Sequence, residues 1–291
     1  MKIVASLHQK TSWDFFKAGI ASSKSNIYSI FDFPKGVSAD AIVPAVHELV
    51  NASDDLKKCF YFDKKENQLF QQISQQVNVD SAISFSSLSS AREFYESIAL
   101  FISIPFDLEC GPLFRLKICE INDRQIILWC VHESIADGYT NKLVGDYLYA
   151  AIGKNNLSEI TQDLSTLSQN DLLLLEAKSK NKFQKNTLYW KDELSFFNGR
   201  SLLPYDNESK SIEGARYIFA LSENATANLR RLLRDNGITL AGCLASCFNI
   251  FLWKLTGRED NVIAMPSSLR KHKILKEAFG FYVNSLFLRD K

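Results

Sequence analysis

The chain has 291 residues, 46% of them hydrophobic and 23% charged, the balance of an ordinary globular protein with room for one large domain or two modest ones. A net charge of +1 excludes a dedicated nucleic-acid binder, which carries a basic stripe. The longest apolar runs, such as 126–131, are too short to span a bilayer, and residues 1–16 lack the apolar core and cleavage site of a signal peptide; no membrane partner and a cytoplasmic location are expected.

In chain order, residues 39–50 predict an amphipathic helix, with Ile42, Val43, Val46 and Val50 at helical spacing. Residues 59–62 and 69–73 predict two short strands across the turn Asp63-Lys64-Lys65-Glu66-Asn67. A helix over 91–101 is ended by Pro105. Residues 113–120 and 125–131 predict a hairpin across Ile121-Asn122-Asp123-Arg124, and a helix runs from about 140 to 152, stopped by Gly153. The polar, Ser/Asn/Lys-rich stretch 155–182 reads as a connection carrying a short helix. Beyond it come a helix around 186–194, a strand over 215–221 and a helix over 223–236 capped by Ser222. The long apolar helix over 240–255 is expected to be buried, and strands follow over 261–265 and 282–289.

Strands and helices interleave in both halves, which predicts an α/β (α+β sandwich) fold. The domains expected are 1–154, a connection over 155–182, and 183–291. Six cysteines form no C-x-x-C pair and the four histidines are scattered, so no metal site is expected. Cys243 and Cys247, four apart on a helical stretch, read as small buried hydrophobes in a reducing compartment.

The most informative stretch is Trp129-Cys130-Val131-His132-Glu133-Ser134-Ile135-Ala136-Asp137-Gly138-Tyr139, which follows an apolar run and opens a helix. It resembles the His-His-x-x-x-Asp-Gly signature of the condensation domains of nonribosomal peptide synthetases, with Glu133 in place of the second His. Further motifs follow in the family's order. Gln9, Trp13 and Phe16 resemble its opening motif. Asp54-Asp55-Leu56-Lys57-Lys58-Cys59-Phe60 stands where the family has Arg-His-Glu-x-Leu-Arg-Thr-x-Phe, matched at Leu56 and Phe60 and with Lys57 for an Arg. Pro105 to Arg115 is similar to Phe-Asp-Leu-x-x-Gly-Pro-Leu-x-Arg. In the second half, Tyr189-Trp190, Thr239-Leu240, the turn Gly257 to Ile263, a degraded Pro266-Ser267-Ser268-Leu269-Arg270 and the run Gly280 to Arg289 all find counterparts.

The resemblance implies two chloramphenicol acetyltransferase-like subdomains in a V, the second incomplete here because family members continue past the last motif. It implies an active site at their junction and two partner carrier proteins, one bringing an acyl or peptidyl thioester, the other an aminoacyl acceptor. Both substrates arrive on phosphopantetheine arms, with no cofactor bound directly, and neighbouring synthetase domains are further partners. Proximity of the tethered substrates supplies much of the rate. On this pattern the catalytic group is His132, Glu133, Asp137 and Gly138. His132 is mainly structural, Glu133 stands at the base position, and Gly138 leaves the backbone open to the reacting centre. Asp137 pairs with Arg270 in a buried salt bridge, while Ser268 and Asn284 bind substrate.

A carboxylate at position 133 can bind an ammonium nucleophile and becomes a better base in an apolar site, but it also repels a developing oxyanion. Three functions stay open: an amide-forming condensation enzyme, a catalytically silent condensation-like module that binds carrier proteins, and a free-standing thioester-dependent acyltransferase. A one-residue insertion that puts His132 at the base position also stays open. Without the flanking motifs, His132 is a strand-end histidine and Glu133 a solvated charge.

Overall fold

The computed structural model describes residues 3–20, 23–153, 180–197, 203, 217, 219–270 and 275–290. The chain divides into two compact units, Met1–Lys182 with Ser268–Val283, and Phe183–Ser267 with Asn284–Lys291.

The first unit runs β1 (Ile3–Val4), α1 (Leu7–Lys17), β2 (Asn26–Asp32), α2 (Ala39–Ala52), β3 (Lys58–Asp63), β4 (Gln68–Ile73), β5 (Ile83–Ser87), α3 (Ala91–Ser103), β6 (Phe114–Ile121), β7 (Arg124–His132) and α4 (Gly138–Ile152). A four-stranded sheet has the order β2-β7-β6-β5, with β5 parallel to β6 and the other pairs antiparallel. A three-stranded antiparallel sheet has the order β1-β4-β3.

The β6–β7 hairpin turns on Asn122 (φ 50°) and Asp123 (φ 60°), two residue types that accept left-handed backbone at low cost. That turn sets the register Ile121↔Arg124, and a slip of one residue would exchange the two faces of the strand. β7 is central, and Ile127 through Val131 are fully buried, as a strand covered on both faces requires. In α2 the buried residues Ile42, Ala45, Val46, Leu49 and Val50 follow the helical stripe expected from sequence. Truncation of Leu49, which is 0% exposed, costs about 2–5 kcal/mol. α4 approaches β2 closely at Gly145, where an added Cβ would lie 2.7 Å from Phe31.

In the second unit α5 (Lys180–Glu193), α6 (Glu223–Asp235) and α7 (Leu240–Thr256) precede a two-stranded sheet of β8 (Asn261–Ser268) and β9 (Val283–Asp290). Ser222 caps α6, its side chain accepting from the Ala225 amide, and Thr239 caps α7 in the same way through Gly242. Arg289 on β9 makes a bidentate pair with Asp260 at 2.6 and 2.7 Å.

Several expectations need correction. α7 is not a buried helix: Leu244, Phe248, Ile250, Phe251, Trp253 and Leu255 are exposed, and only Asn249 and Leu252 are buried. A helix apolar on every side is buried only when elements cover every side, and the described residues of this unit hold one two-stranded sheet. Cys243 is half-buried and Cys247 exposed, for the same reason. α5 starts at Lys180 rather than near 186, before the connection was expected to end. α1, β1, β2 and β5 were not expected at all. The buried face of α1 is Gln9, Ser12 and Trp13, so two of its three inward positions are polar and the apolar period is absent. The short helix expected within 155–182 lies outside the described residues, as does most of the strand expected over 215–221; of that strand, 217 and 219–221 are described and carry no regular structure.

Candidate active site

The turn between β7 and α4 gathers His132, Glu133, Asp137 and Gly138. The strand ends where the His132 amide donates to the Leu113 carbonyl at 2.9 Å, and a tight turn follows as the Ile135 amide donates to the His132 carbonyl at 3.1 Å. Asp137 then caps α4, its Oδ1 accepting from the Thr140 amide at 2.8 Å.

Asp137 and Arg270 are brought together: the Arg270 Nη2 lies 2.9 Å from Asp137 Oδ1, with side chains 6% and 3% exposed. The Arg270 Nη1 donates to the carbonyls of Leu275 and Ala278, both at 2.7 Å. The Tyr282 amide donates to Asp137 Oδ2 at 3.0 Å. The Thr140 hydroxyl lies 3.0 Å from Asp137 Oδ1 and 2.8 Å from the Gly280 carbonyl, and accepts from the Gly280 amide at 3.2 Å. The guanidinium is also sandwiched by the rings of Tyr139 and Tyr282, 4.8 and 4.5 Å away. Gly280 has φ 135° and an added Cβ would lie 2.9 Å from Tyr282, so this close return of the chain needs glycine. A second buried pair, Asp55 with Lys58, belongs to the 54–60 motif; burial raises the Asp55 carboxyl above its usual range, opposed by the Lys58 charge.

His132 is 3% exposed and its ring is fixed from two sides. Its Nδ1 accepts from the Ser134 amide at 3.1 Å and lies 2.8 Å from the Ser134 hydroxyl, so the neutral ring carries its proton on Nε2. The edge of Phe106 meets it at 6.2 Å, and Phe106 is in turn capped by the Arg115 guanidinium at 4.0 Å. Thus the two ends of the 105–115 motif form the support under His132. Burial pulls the His132 imidazole down to about 4, with a further push from the His8 charge.

Glu133 points elsewhere. Its amide donates to the Ser25 carbonyl at 2.9 Å and its Oε1 accepts from the Ser25 hydroxyl at 3.0 Å. A Cβ added at Gly138 would meet nothing within 4 Å, so the space beside that residue is open. Ser268 is exposed and its hydroxyl accepts from the Arg270 amide at 3.2 Å. Asn284, in the second unit, turns its Oδ1 onto the Ser285 amide at 2.9 Å. Among the described residues no group of three or more His, Cys, Asp and Glu side chains is placed to hold a metal.

Sequence reasoning missed Thr140, Ser25 and His8. Thr140 had a signal, because a residue three past an Asp helix cap is where the cap bond lands. Gln9 was noticed only for its motif; its Nε2 donates to the Ser134 carbonyl at 3.0 Å, which ties α1 to the turn. Ser25 and His8 meet the turn across more than a hundred residues of chain, and no local pattern announces such contacts.

A condensation-domain family model matches residues 2–291. Bacitracin synthase 3 of Bacillus licheniformis is 30% identical over 219 residues, covering 73% of this chain and 3% of that protein. Chondramide synthase cmdD of Chondromyces crocatus is 30% identical over 192 residues, covering 64% of this chain and 5% of that protein. The chain thus spans a small part of the length of these relatives. Among solved structures, the first condensation domain of the CDA synthetase superposes with a TM-score of 0.79 at 16% identity, covering 99% of this chain and 70% of that one. The condensation domain of the Monacolin K polyketide synthase MokA gives a TM-score of 0.77 at 16% identity, over 100% and 68%. These likenesses carry the chloramphenicol acetyltransferase-like α/β fold.

Proposed function

The chain belongs to the condensation-domain family, and from that premise we propose that it is an acyltransferase of nonribosomal peptide synthesis. It joins a carrier-bound acyl or peptidyl thioester to a carrier-bound aminoacyl acceptor through a new amide bond. The acceptor amine attacks the thioester carbonyl, a C–N bond forms, the C–S bond breaks, and the donor's phosphopantetheine thiol leaves. The observation that carries this reading is the Asp137–Arg270–Thr140 network, which presents the turn 132–138 in one fixed form. A site assembled at this cost in buried charge is geometry kept for use. On this reading Gly138 borders the space for the reacting groups, Glu133 attracts the ammonium form of the acceptor, and Ser268 meets substrate; Asn284, in the second unit, is a further substrate-binding residue. The partners are donor and acceptor carrier proteins and neighbouring synthetase domains, and the chain works in the cytoplasm.

A second reading is favoured by one observation: the Glu133 carboxylate is engaged by Ser25 rather than by the turn. A silent module that only receives carrier proteins would have that arrangement. Intact-mass analysis of an acceptor carrier separates the two. The condensation reading expects the acceptor to gain the donor's acyl mass with the native chain, and Glu133→Gln to slow the gain tenfold or more. The silent-module reading expects gain only after Glu133→His.

A further inference from the structure

Neither motif position offers a usable imidazole. His132 is buried, with Nδ1 already accepting from Ser134, and position 133 is a carboxylate. A third residue stands at the same turn. His8, in the first turn of α1, stacks flat on Phe281 with ring centroids 3.6 Å apart and planes 7° apart. Its Nε2 is buried and has no hydrogen-bond partner among the described residues. Such a nitrogen costs free energy wherever it is left unsatisfied, so its survival in a folded site asks for a reason.

The surroundings of His8 are the candidate site. The Glu133 carboxylate and backbone carbonyl favour the charged form of the His8 imidazole, and a charge on His8 disfavours one on His132. Its position is fixed by anchors on both sides. The next residue, Gln9, is buried, bonds the Ser134 carbonyl and completes the α1 capping box with Ser6. Phe281 lies between Gly280 and Tyr282, whose amides bond Thr140 and Asp137. The Asp137 network therefore positions the ring on which His8 rests.

Building on the condensation reading above, we propose that His8 supplies the imidazole of this active site in place of the histidine absent at position 133. As the free amine of the acceptor adds to the thioester carbonyl, the nitrogen loses one proton to His8 Nε2. The tetrahedral adduct then expels the thiolate, and His8 returns that proton to sulfur, leaving an amide and a thiol. Glu133 favours the charged form of the imidazole, as an acidic partner does for a histidine base. Burial holds the His8 imidazole below the ordinary histidine range, and Glu133 opposes that shift. The base therefore stays competent on the acid side of neutrality.

The test uses the 291-residue chain with donor-loaded and acceptor-loaded carriers, read as single-turnover amide formation from pH 5 to 8. His8→Phe keeps an aromatic ring on Phe281 and removes the nitrogen. The expected result is a hundredfold or larger loss of rate with unchanged melting, loss of the acid-side inflection, and at least tenfold recovery when Glu133→His is added. A His8→Phe chain within threefold of native, or one that keeps the native pH profile, overturns the assignment and leaves the condensation reading standing. A native chain that forms no amide at any pH overturns that reading, and His8 as its base with it.

Discussion

Asp137 and Glu133 stand four residues apart on one turn, and the protein treats their carboxylates in opposite ways. Asp137 is 3% exposed, with both oxygens occupied by an arginine, a threonine and a backbone amide. Glu133 is half-exposed and its side chain accepts one serine hydroxyl. The saturated end of the turn is a rigid joint that cannot do chemistry without breaking itself. The other end keeps a carboxylate with spare acceptor capacity and, on His8, a buried ring nitrogen with no hydrogen-bond partner among the described residues. Function belongs to the end whose groups still have partners to find.

The sharpest way to break this comparison is to remove the buried pair. Arg270→Ala strands the Asp137 carboxylate and the carbonyls of Leu275 and Ala278, and Asp137→Ala strands the guanidinium. Each is expected to cost about 3–5 kcal/mol, a fall in melting temperature of about 10 °C for a unit of this size. The double variant is expected to cost clearly less than the sum, because the second change removes a charge already stranded. Strict additivity in thermal melts would mean the two side chains do not act as a unit.

A somewhat smaller effect is expected from His132. Its folded value is about 4, below the ordinary 6.5, so the unfolded chain binds a proton that the folded chain refuses. This contribution to stability is whole above about pH 6.5 and is lost as pH falls toward 4, up to about 3 kcal/mol. Urea unfolding of native and His132→Asn chains at pH 7 and pH 4.5 measures it as the difference between their slopes. Identical slopes would contradict the burial-driven shift.

At the small end lie Glu133→Ala and Ser25→Ala, each expected to change stability by about 1 kcal/mol or less, the worth of one partly exposed hydrogen bond. A loss at Glu133 as large as that at Asp137 would erase the distinction between the two ends of the turn.

Legibility in the sequence followed the same division. The α2 stripe, the β3–β4 and β6–β7 hairpins and the Ser222 cap were readable because period, turn chemistry and capping are local rules. The Asp137–Arg270 pairing was expected by resemblance, since both positions sit in recognisable motifs 133 residues apart. The α1 helix escaped because Gln9 and Ser12 take inward positions that period reading reserves for apolar residues, and His8 escaped with it. The exposure of α7 was unreadable because composition reports how apolar a helix is and not what lies against it. Ser25 meets Glu133 only through the fold, since 108 residues separate them.

The central claim is that this chain transfers an acyl group with a carboxylate at the second motif position. The most direct measurement is the intact mass of an aminoacyl acceptor carrier after one turnover with the native chain and a donor-loaded carrier. The account predicts that the acceptor gains the full donor acyl mass with the native chain. No gain with the native chain, beside a clear gain with Glu133→His, would contradict it and make the chain a scaffold silenced at one residue.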